Sequence, residues 1–225
     1  MSVIVKSGGG KSSGLYVWKK YEFSPPYLSF IGNEDFTLKT GNTTKNWDGT
    51  LEYSTDTSTW NTWNGTEISS VGSKLYLRGT GNTKITGNSF DYRFVFIGTD
   101  ALQIACEGNV ENLLDYETVS AGGHPTMASY CYYSMFSNCT SLTTAPALPA
   151  TTLANYCYNS MFQGCTKIKL STTQTGEYQT PYRIPTSGTG ATATNALQNM
   201  FTYTGGTFKG TPSINTTYYT SNTVV

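Results

Sequence analysis

The chain has 225 residues, of which 12% are charged and 14% are aromatic, and its formal net charge is zero. This length is enough for one large domain or two small ones with a real hydrophobic core. A neutral chain in which no basic run exceeds Lys19-Lys20 lacks the electrostatic footprint of a nucleic-acid-binding protein. Few charges and many aromatic residues also argue against a disordered tail.

Acidic residues are spread unevenly along the chain. Thirteen of the fourteen lie at or before Glu117, whereas the remainder carries one acidic residue, Glu177, and four basic residues. This change in composition predicts a domain boundary near residue 118.

The first residues read MSVIVKSGGGKSSG, and their apolar run, Val3 to Val5, is too short for a secretion signal peptide. No stretch of the chain approaches the 18 apolar residues of a membrane span, so no membrane insertion is expected. Glycine and serine are typical of a flexible joint, and residues 1–16 are predicted to be a flexible N-terminal segment or tether. A phosphate-binding loop is not expected, because its first glycine position is occupied by Val5.

Short segments that alternate apolar and polar residues, or are wholly apolar, come next in the chain. They are YLSFIG, FTLKT, TLEYST, KLYLRGT and YRFVFIG, and turn pairs such as Asp48-Gly49 and Asn64-Gly65 separate them. Such regular short strands predict a small β-sandwich over residues 17–118. Its expected core residues are Leu51, Tyr53, Leu75, Leu77, Phe94 and Phe96. The segment CEGNVENLLDYETV is expected to carry Leu113 and Leu114 into the next core.

A repeat begins after this segment. SYCYYSMFSNCTSL, at 129–142, recurs as NYCYNSMFQGCTKI at 155–168, an offset of 26 residues, and nine of fifteen positions are identical between 128–142 and 154–168. A third, degraded copy, ATNALQNMFTYTGGT, has Ala196 and Thr204 at the two cysteine positions. Periods of 20–29 residues are typical of leucine-rich solenoids. The predicted structural core of the repeats comprises Cys131, Met135, Phe136, Cys139, Leu142, Cys157, Met161, Phe162, Cys165, Ile168, Met200 and Phe201.

The repeated cysteines admit three interpretations. Ala128, Cys131, Met135 and Cys139 are spaced by three or four residues, which predicts that they share one face of a short helix. On a continuous helix the two cysteines of a unit would lie about 12 Å apart, too far for a disulfide. Three interpretations of the cysteines remain: buried thiols, disulfides between units (Cys131 with Cys157, Cys139 with Cys165), or a metal site. Replacement by Ala and Thr in the third copy favours buried thiols, and a spacing of eight is unlike structural zinc, so no metal and no cofactor are expected.

The stretch MFSNCTSLTTAPALPATTLANYCYNSMFQGCT resembles the BspA-type leucine-rich repeats of gut and oral bacteria and their prophages. WDGTLEYSTDTSTWNTWNG, KLYLRGTGNTKITG and CEGNVENLLDY are similar to the β module often joined to those repeats, and GGTFKGTPSINTTYYTSNTVV is similar to the segment that closes them. The resemblance covers roughly residues 27–225. It implies a β-rich α+β fold: a small β-sandwich followed by a short leucine-rich solenoid with a C-terminal cap over residues 119–225. An array of fewer than three good units needs caps, here the β module and the Thr-rich C-terminus.

Chemistry-bearing residues are few. One histidine, His124, and no serine in a nucleophile-elbow sequence leave no convincing catalytic triad, and a surface or structural role is expected for His124. Trp47, Trp60 and Trp63 stand beside amides such as Asn61 and Asn64, a combination that suits stacking on sugars. Core packing is the alternative for these tryptophans, and at least one of Trp60 and Trp63 is expected to face inward because their parity on a strand differs.

The resemblance implies adhesion or binding rather than catalysis. The sequence hypothesis is a non-enzymatic phage or prophage virion protein (tail fibre, baseplate or capsid decoration) that attaches to a host-surface glycan or protein, or to a mucin-like glycan. Its expected assembly partners are other virion proteins or further copies of itself. The alternatives are a bacterial cell-surface or extracellular adhesin of the same repeat family, and a carbohydrate-active enzyme.

Overall fold

The computed structural model describes residues 25–221, so the predicted tether at 1–16 and the start of the predicted β module lie outside the described residues. The described chain is rich in β structure and contains several sheets. Thirteen strands are assigned: β1 Leu28–Gly32, β2 Thr37–Thr40, β3 Thr50–Ser54, β4 Asn61–Trp63, β5 Ile68–Ser69, β6 Lys74–Thr80, β7 Phe94–Ile97, β8 Ile104–Glu107, β9 Leu142–Thr144, β10 Lys169–Ser171, β11 Tyr178–Ile184, β12 Gly205–Gly206 and β13 Thr216–Ser221. The helix α1 spans Asn112–Ser120, and one turn of 3-10 helix spans Phe90–Tyr92.

Two sheets enclose the first part of the core. The larger has the order β4-β3-β6-β1-β8-β9 and the smaller has the order β5-β2-β7. The ring of Phe30 on β1 contacts Phe94 and Phe96 on β7, with centroids 6.5 and 5.1 Å apart, so the sheets face each other across aromatic side chains. Of the core residues predicted from alternation, four are fully buried and two, Tyr53 and Phe96, are partly buried against the core.

The helix α1 packs against β6 at a point where only glycine fits. A Cβ atom on Gly79 would lie 1.7 Å from the carbonyl oxygen of Leu113, and the missing side chain lets the helix approach the strand this closely. Leu113 and Leu114 are fully buried, in the core that also contains the β module.

The repeat units are built from consecutive turns, and the predicted short helix through Ala128, Cys131, Met135 and Cys139 is wrong. The reason is a left-handed backbone at every fourth residue: φ is +61° at Tyr130, +52° at Ser134 and +62° at Asn138. These residues interrupt a right-handed helix. Because the turns also repeat every four residues, they keep Cys131, Met135 and Cys139 buried together.

Backbone hydrogen bonds join the units in register. Every second residue from Tyr130 to Asn138 donates its amide to the carbonyl oxygen 25 positions later, over 2.7 to 2.9 Å. Between them, Tyr133, Met135 and Ser137 donate to the carbonyl three positions earlier, which closes the turns. The second unit donates to the third in the same way, from Tyr156 to Gly164. These turn amides are therefore paired either within their own unit or with the next unit.

Identical side chains stack along this direction. The rings of Phe136 and Phe162 are 5.6 Å apart at 7°, those of Phe162 and Phe201 are 5.3 Å apart at 10°, and those of Tyr132 and Tyr158 are 5.5 Å apart at 12°. The structure thus places the degraded third copy in register with the two good ones. All twelve residues of the predicted repeat core are buried.

Both ends of the stacked units are covered. On one side, the amides of Ile85 and Phe94 donate to the carbonyl oxygens of Cys131 and Met135 in the first unit. On the other, the amide of Phe201 donates to Gly210, next to a four-stranded sheet in the order β11-β13-β10-β12.

One hydrophobic core runs through both parts of the described chain. β9, from the first repeat unit, pairs in parallel with β8 and so joins the larger sheet. Residues on both sides of the boundary predicted near residue 118 therefore share this core, and the boundary itself stays a prediction. No helix within residues 25–221 is long and apolar enough to cross a membrane.

Candidate binding surface

The three tryptophans occupy two different environments. Trp47 and Trp63 are 4% and 1% exposed, and their rings stack 5.1 Å apart inside the β module. Core packing, rather than ligand contact, describes these two residues. Trp60 lies at the surface just before β4 and stays partly exposed, so it remains a candidate for ligand contact.

The environment of Trp60 is a cluster of aromatic and charged side chains. The guanidinium carbon of Arg78 lies 4.1 Å from the Trp60 ring centroid and 4.5 Å from that of Tyr116 on α1, so the cation sits between two rings. Tyr27 lies 6.0 Å from Trp60 and 5.1 Å from Tyr76. We call this surface the Trp60 cluster; its members are Tyr27, Glu52, Trp60, Tyr76, Arg78 and Tyr116.

Arg78 is held from a third direction. Its Nε donates to Oε2 of Glu52 over 2.8 Å, and the two side chains are 20% and 26% exposed. Its two terminal nitrogens have no hydrogen-bond partner among the described residues. A guanidinium fixed in this way loses little conformational freedom when it binds, and its free N–H groups suit sugar hydroxyls and carboxylates.

The sheet places these residues together by strand register. Glu52 on β3 is directly opposite Arg78 on β6, and both point away from the core because Leu51 and Leu77 beside them point inward. Tyr76 shares that outer face with Arg78. Of these residues only Trp60 was predicted from the sequence, because the others come from four other segments of the chain. The signal available in KLYLRGT was the alternation that puts Tyr76 and Arg78 on the polar side of the strand.

The two amides predicted beside the tryptophans are both exposed. Asn64 is occupied locally, since its Oδ1 accepts hydrogen bonds from the amide and the hydroxyl of Thr66 over 3.2 and 2.7 Å. Asn61 pairs with Tyr53 in the β3-β4 ladder. Asn61 is the nearer of the two to Trp60 in the chain and stays a candidate for contact with the same ligand.

All five cysteines are buried free thiols. Burial raises the pKa of Cys139 and of Cys157 to about 12, and it also raises the pKa values of Cys106, Cys131 and Cys165 well above the usual value for a thiol. The Sγ of Cys139 donates to the carbonyl of Phe94 over 3.2 Å. Thiols of this kind are protonated at neutral pH and poorly nucleophilic, so they suit packing rather than chemistry.

The single histidine pairs with a buried carboxyl group. Nδ1 of His124 lies 2.8 Å from Oε2 of Glu111, whose side chain is fully buried. Burial raises the pKa of Glu111, and the hydrogen bond and charge interaction with His124 oppose part of that rise. The other oxygen of Glu111 has no hydrogen-bond partner in the described chain. No serine or cysteine nucleophile hydrogen-bonds to His124 there.

Residues 25–221 contain no group of three or more His, Cys, Asp or Glu side chains arranged to hold a metal ion. The Trp60 cluster is therefore the arrangement in the described chain that best suits ligand binding. Comparisons of the chain with protein-family models, with curated proteins and with solved structures find no match in any of the three.

Proposed function

We propose that this chain is a non-enzymatic attachment protein of a phage or prophage particle and that the Trp60 cluster binds a host-surface glycan. The observation that carries the glycan part is Arg78, fixed between Trp60 and Tyr116, whose terminal nitrogens have no hydrogen-bond partner in residues 25–221. Aromatic rings stack on the apolar faces of sugars, and guanidinium N–H groups donate to their oxygens. Tail fibre, baseplate and capsid decoration are the positions proposed within the particle.

The proposed architecture is a β-sandwich module followed by a short leucine-rich solenoid of BspA type with a C-terminal cap. Its support is the sequence resemblance together with the register of the stacked units, in which each amide ladder joins the next copy. In this proposal the repeats and the β module hold the Trp60 cluster rigidly on the particle surface. Other particle proteins, or further copies of this chain, provide the assembly contacts.

A glycan array probed with purified protein tests the binding site. The variants are Trp60→Ala and Arg78→Ala, with Tyr203→Asn as the control, because Tyr203 is 72% exposed and outside the cluster. Asparagine also tolerates the positive φ of +62° at that position. A charge-assisted hydrogen bond is worth about 1.5–3 kcal/mol, so Arg78→Ala should weaken binding of the best glycan roughly tenfold or more.

Three outcomes contradict this proposal. Unchanged glycan binding by folded Trp60→Ala and Arg78→Ala variants rejects the Trp60 cluster as the site. Release of reducing sugar from a bound glycan rejects the non-enzymatic assignment and favours a carbohydrate-active enzyme. Absence of the protein from purified particles, measured by mass spectrometry, rejects the particle assignment and favours a cell-surface adhesin.

A further inference from the structure

The free edge of β7 presents an unpaired peptide group. In an antiparallel pair, alternate residues direct their N–H and C=O groups to the same neighbour. The carbonyl of Arg93 accepts from Gly41, at the end of β2, so Arg93, Val95 and Ile97 face β2. The N–H and C=O groups of Phe94 and Phe96 therefore point away from β2.

Within residues 25–221, only the peptide group of Phe94 has hydrogen-bond partners. The amide of Phe94 donates to Met135 over 2.7 Å, and its carbonyl accepts from the Cys139 thiol. Neither the N–H nor the C=O of Phe96 has a hydrogen-bond partner in residues 25–221. An unpaired peptide group on a strand edge favours a partner that supplies both an acceptor and a donor.

Phe96 lines a groove that separates β7 from the first repeat unit. The groove has a volume of about 460 Å³; the strand lies on one side, and the turns around Asn138 and Thr166 lie on the other. Ile97 at its rim is 42% exposed. The turns of the repeat units therefore lie opposite β7 across this groove. We call this the β7 groove.

Two cations line the β7 groove. Arg93 packs its guanidinium 4.0 Å over the Phe90 ring, and Lys167 donates from Nζ to the carbonyl of Leu102 over 2.9 Å. Neither forms an ion pair with a carboxylate among residues 25–221. Asp100 is the one acidic residue in the lining, so the charge of the groove is net positive.

We propose that the β7 groove binds an extended acidic peptide of a partner protein, which adds to β7 as a further strand. Its main chain pairs with the N–H and C=O of Phe96, and a carboxylate side chain approaches Lys167 or Arg93. Main-chain pairing gives affinity for any extended sequence, and the two cations select for acidic ones. This site is separate from the Trp60 cluster and does not depend on glycan binding.

The test uses a bead-bound library of seven-residue peptides with one glutamate fixed at the centre, screened against the whole protein. The strongest binder is resynthesised with an N-methyl group on the residue that pairs with Phe96, which removes one main-chain donor. We expect N-methylation to weaken binding at least tenfold and Lys167→Glu to weaken it at least fivefold. Lys169→Glu is the matched control, because Lys169 lies outside the groove beside Glu177.

Amide hydrogen exchange at Phe96 gives a readout that does not depend on any variant. Exchange should be fast in the free protein and at least tenfold slower with the selected peptide bound. The proposal fails if no peptide is enriched above the Lys167→Glu protein, or if N-methylation has no effect. It also fails if Phe96 is already protected in the free protein, since another part of this chain would then fill the groove.

Discussion

Replacing Phe162 with alanine measures how much the aromatic stack contributes to the stability of the repeats. The Phe162 ring is fully buried between Phe136 and Phe201, with centroids 5.6 and 5.3 Å away. Truncation of a buried phenylalanine costs about 3–5 kcal/mol. Because the variant loses a ring contact on both sides, each worth about 0.5–1.5 kcal/mol beyond buried area, we expect a loss near the upper end of that range.

A Phe162→Leu variant separates the ring contacts from simple apolar burial. Leucine stays apolar and fills much of the site but cannot stack, so the expected loss in the free energy of unfolding is about 1–3 kcal/mol, the sum of two ring contacts. Tyr203→Asn, at an exposed position of the third unit, should change the free energy of unfolding by less than about 0.5 kcal/mol.

Urea unfolding followed by far-UV circular dichroism and by tryptophan fluorescence supplies these values. Trp47 and Trp63 are buried in the β module, so their fluorescence reports on a part of the core outside the repeat units. A single core predicts coincident transitions by both methods, shifted together in the variant. A loss below about 1.5 kcal/mol in Phe162→Ala, or no loss in Phe162→Leu, would refute the role assigned to stacking.

Two further predictions concern buried ionisable groups. The five thiols should not react with a thiol reagent until the protein unfolds, and all five should then react. Because the folded-state pKa of Cys157 is raised, the contribution of this thiol to stability is lost as the pH rises above about 8.5. The Cys157→Ala variant should not show this loss. The folded-state pKa of Glu111 is also raised, so its contribution to stability is full below about pH 4.3 and declines as the pH rises through the folded-state value. In urea titrations, the free energy of unfolding of Glu111→Gln minus that of the wild type should therefore be larger at pH 7 than at pH 4. The same difference at both pH values would contradict a raised pKa of Glu111.

The β module was largely predictable because strand alternation has one simple geometric cause. Residues two apart in a strand share a face, so Leu75 and Leu77 point to the core whichever strands lie beside them. The pairing of β6 with β1 and β3, by contrast, depends on contacts between distant segments, and alternation does not determine it. For the same reason Trp60 was recognised as a candidate from composition while Arg78, its closest partner, was not.

The repeat was recognised, but its local conformation was not predictable from spacing. Intervals of four residues fit both a helix and a series of four-residue turns, since each brings Cys131, Met135 and Cys139 to one side. The distinguishing signal lay at the left-handed positions, which Asn138 and Gly164 occupy in the first two units. Glycine and asparagine adopt positive φ at little cost, whereas tyrosine and serine at the other such positions give no warning.

Turn units of this kind have consequences for function that a helix would not have. Half of the turn amides in a unit point along the stack, so each unit needs a neighbour with carbonyl groups in register. The first unit's carbonyls accept from Ile85 and Phe94 of the β module, and these contacts fix the orientation of the two parts. Phe94 donates its amide to the array, whereas the N–H and C=O of Phe96, two residues later on the same edge, have no hydrogen-bond partner in residues 25–221. The contact that joins the β module to the repeats therefore also creates the groove in which a partner strand can complete the edge of β7.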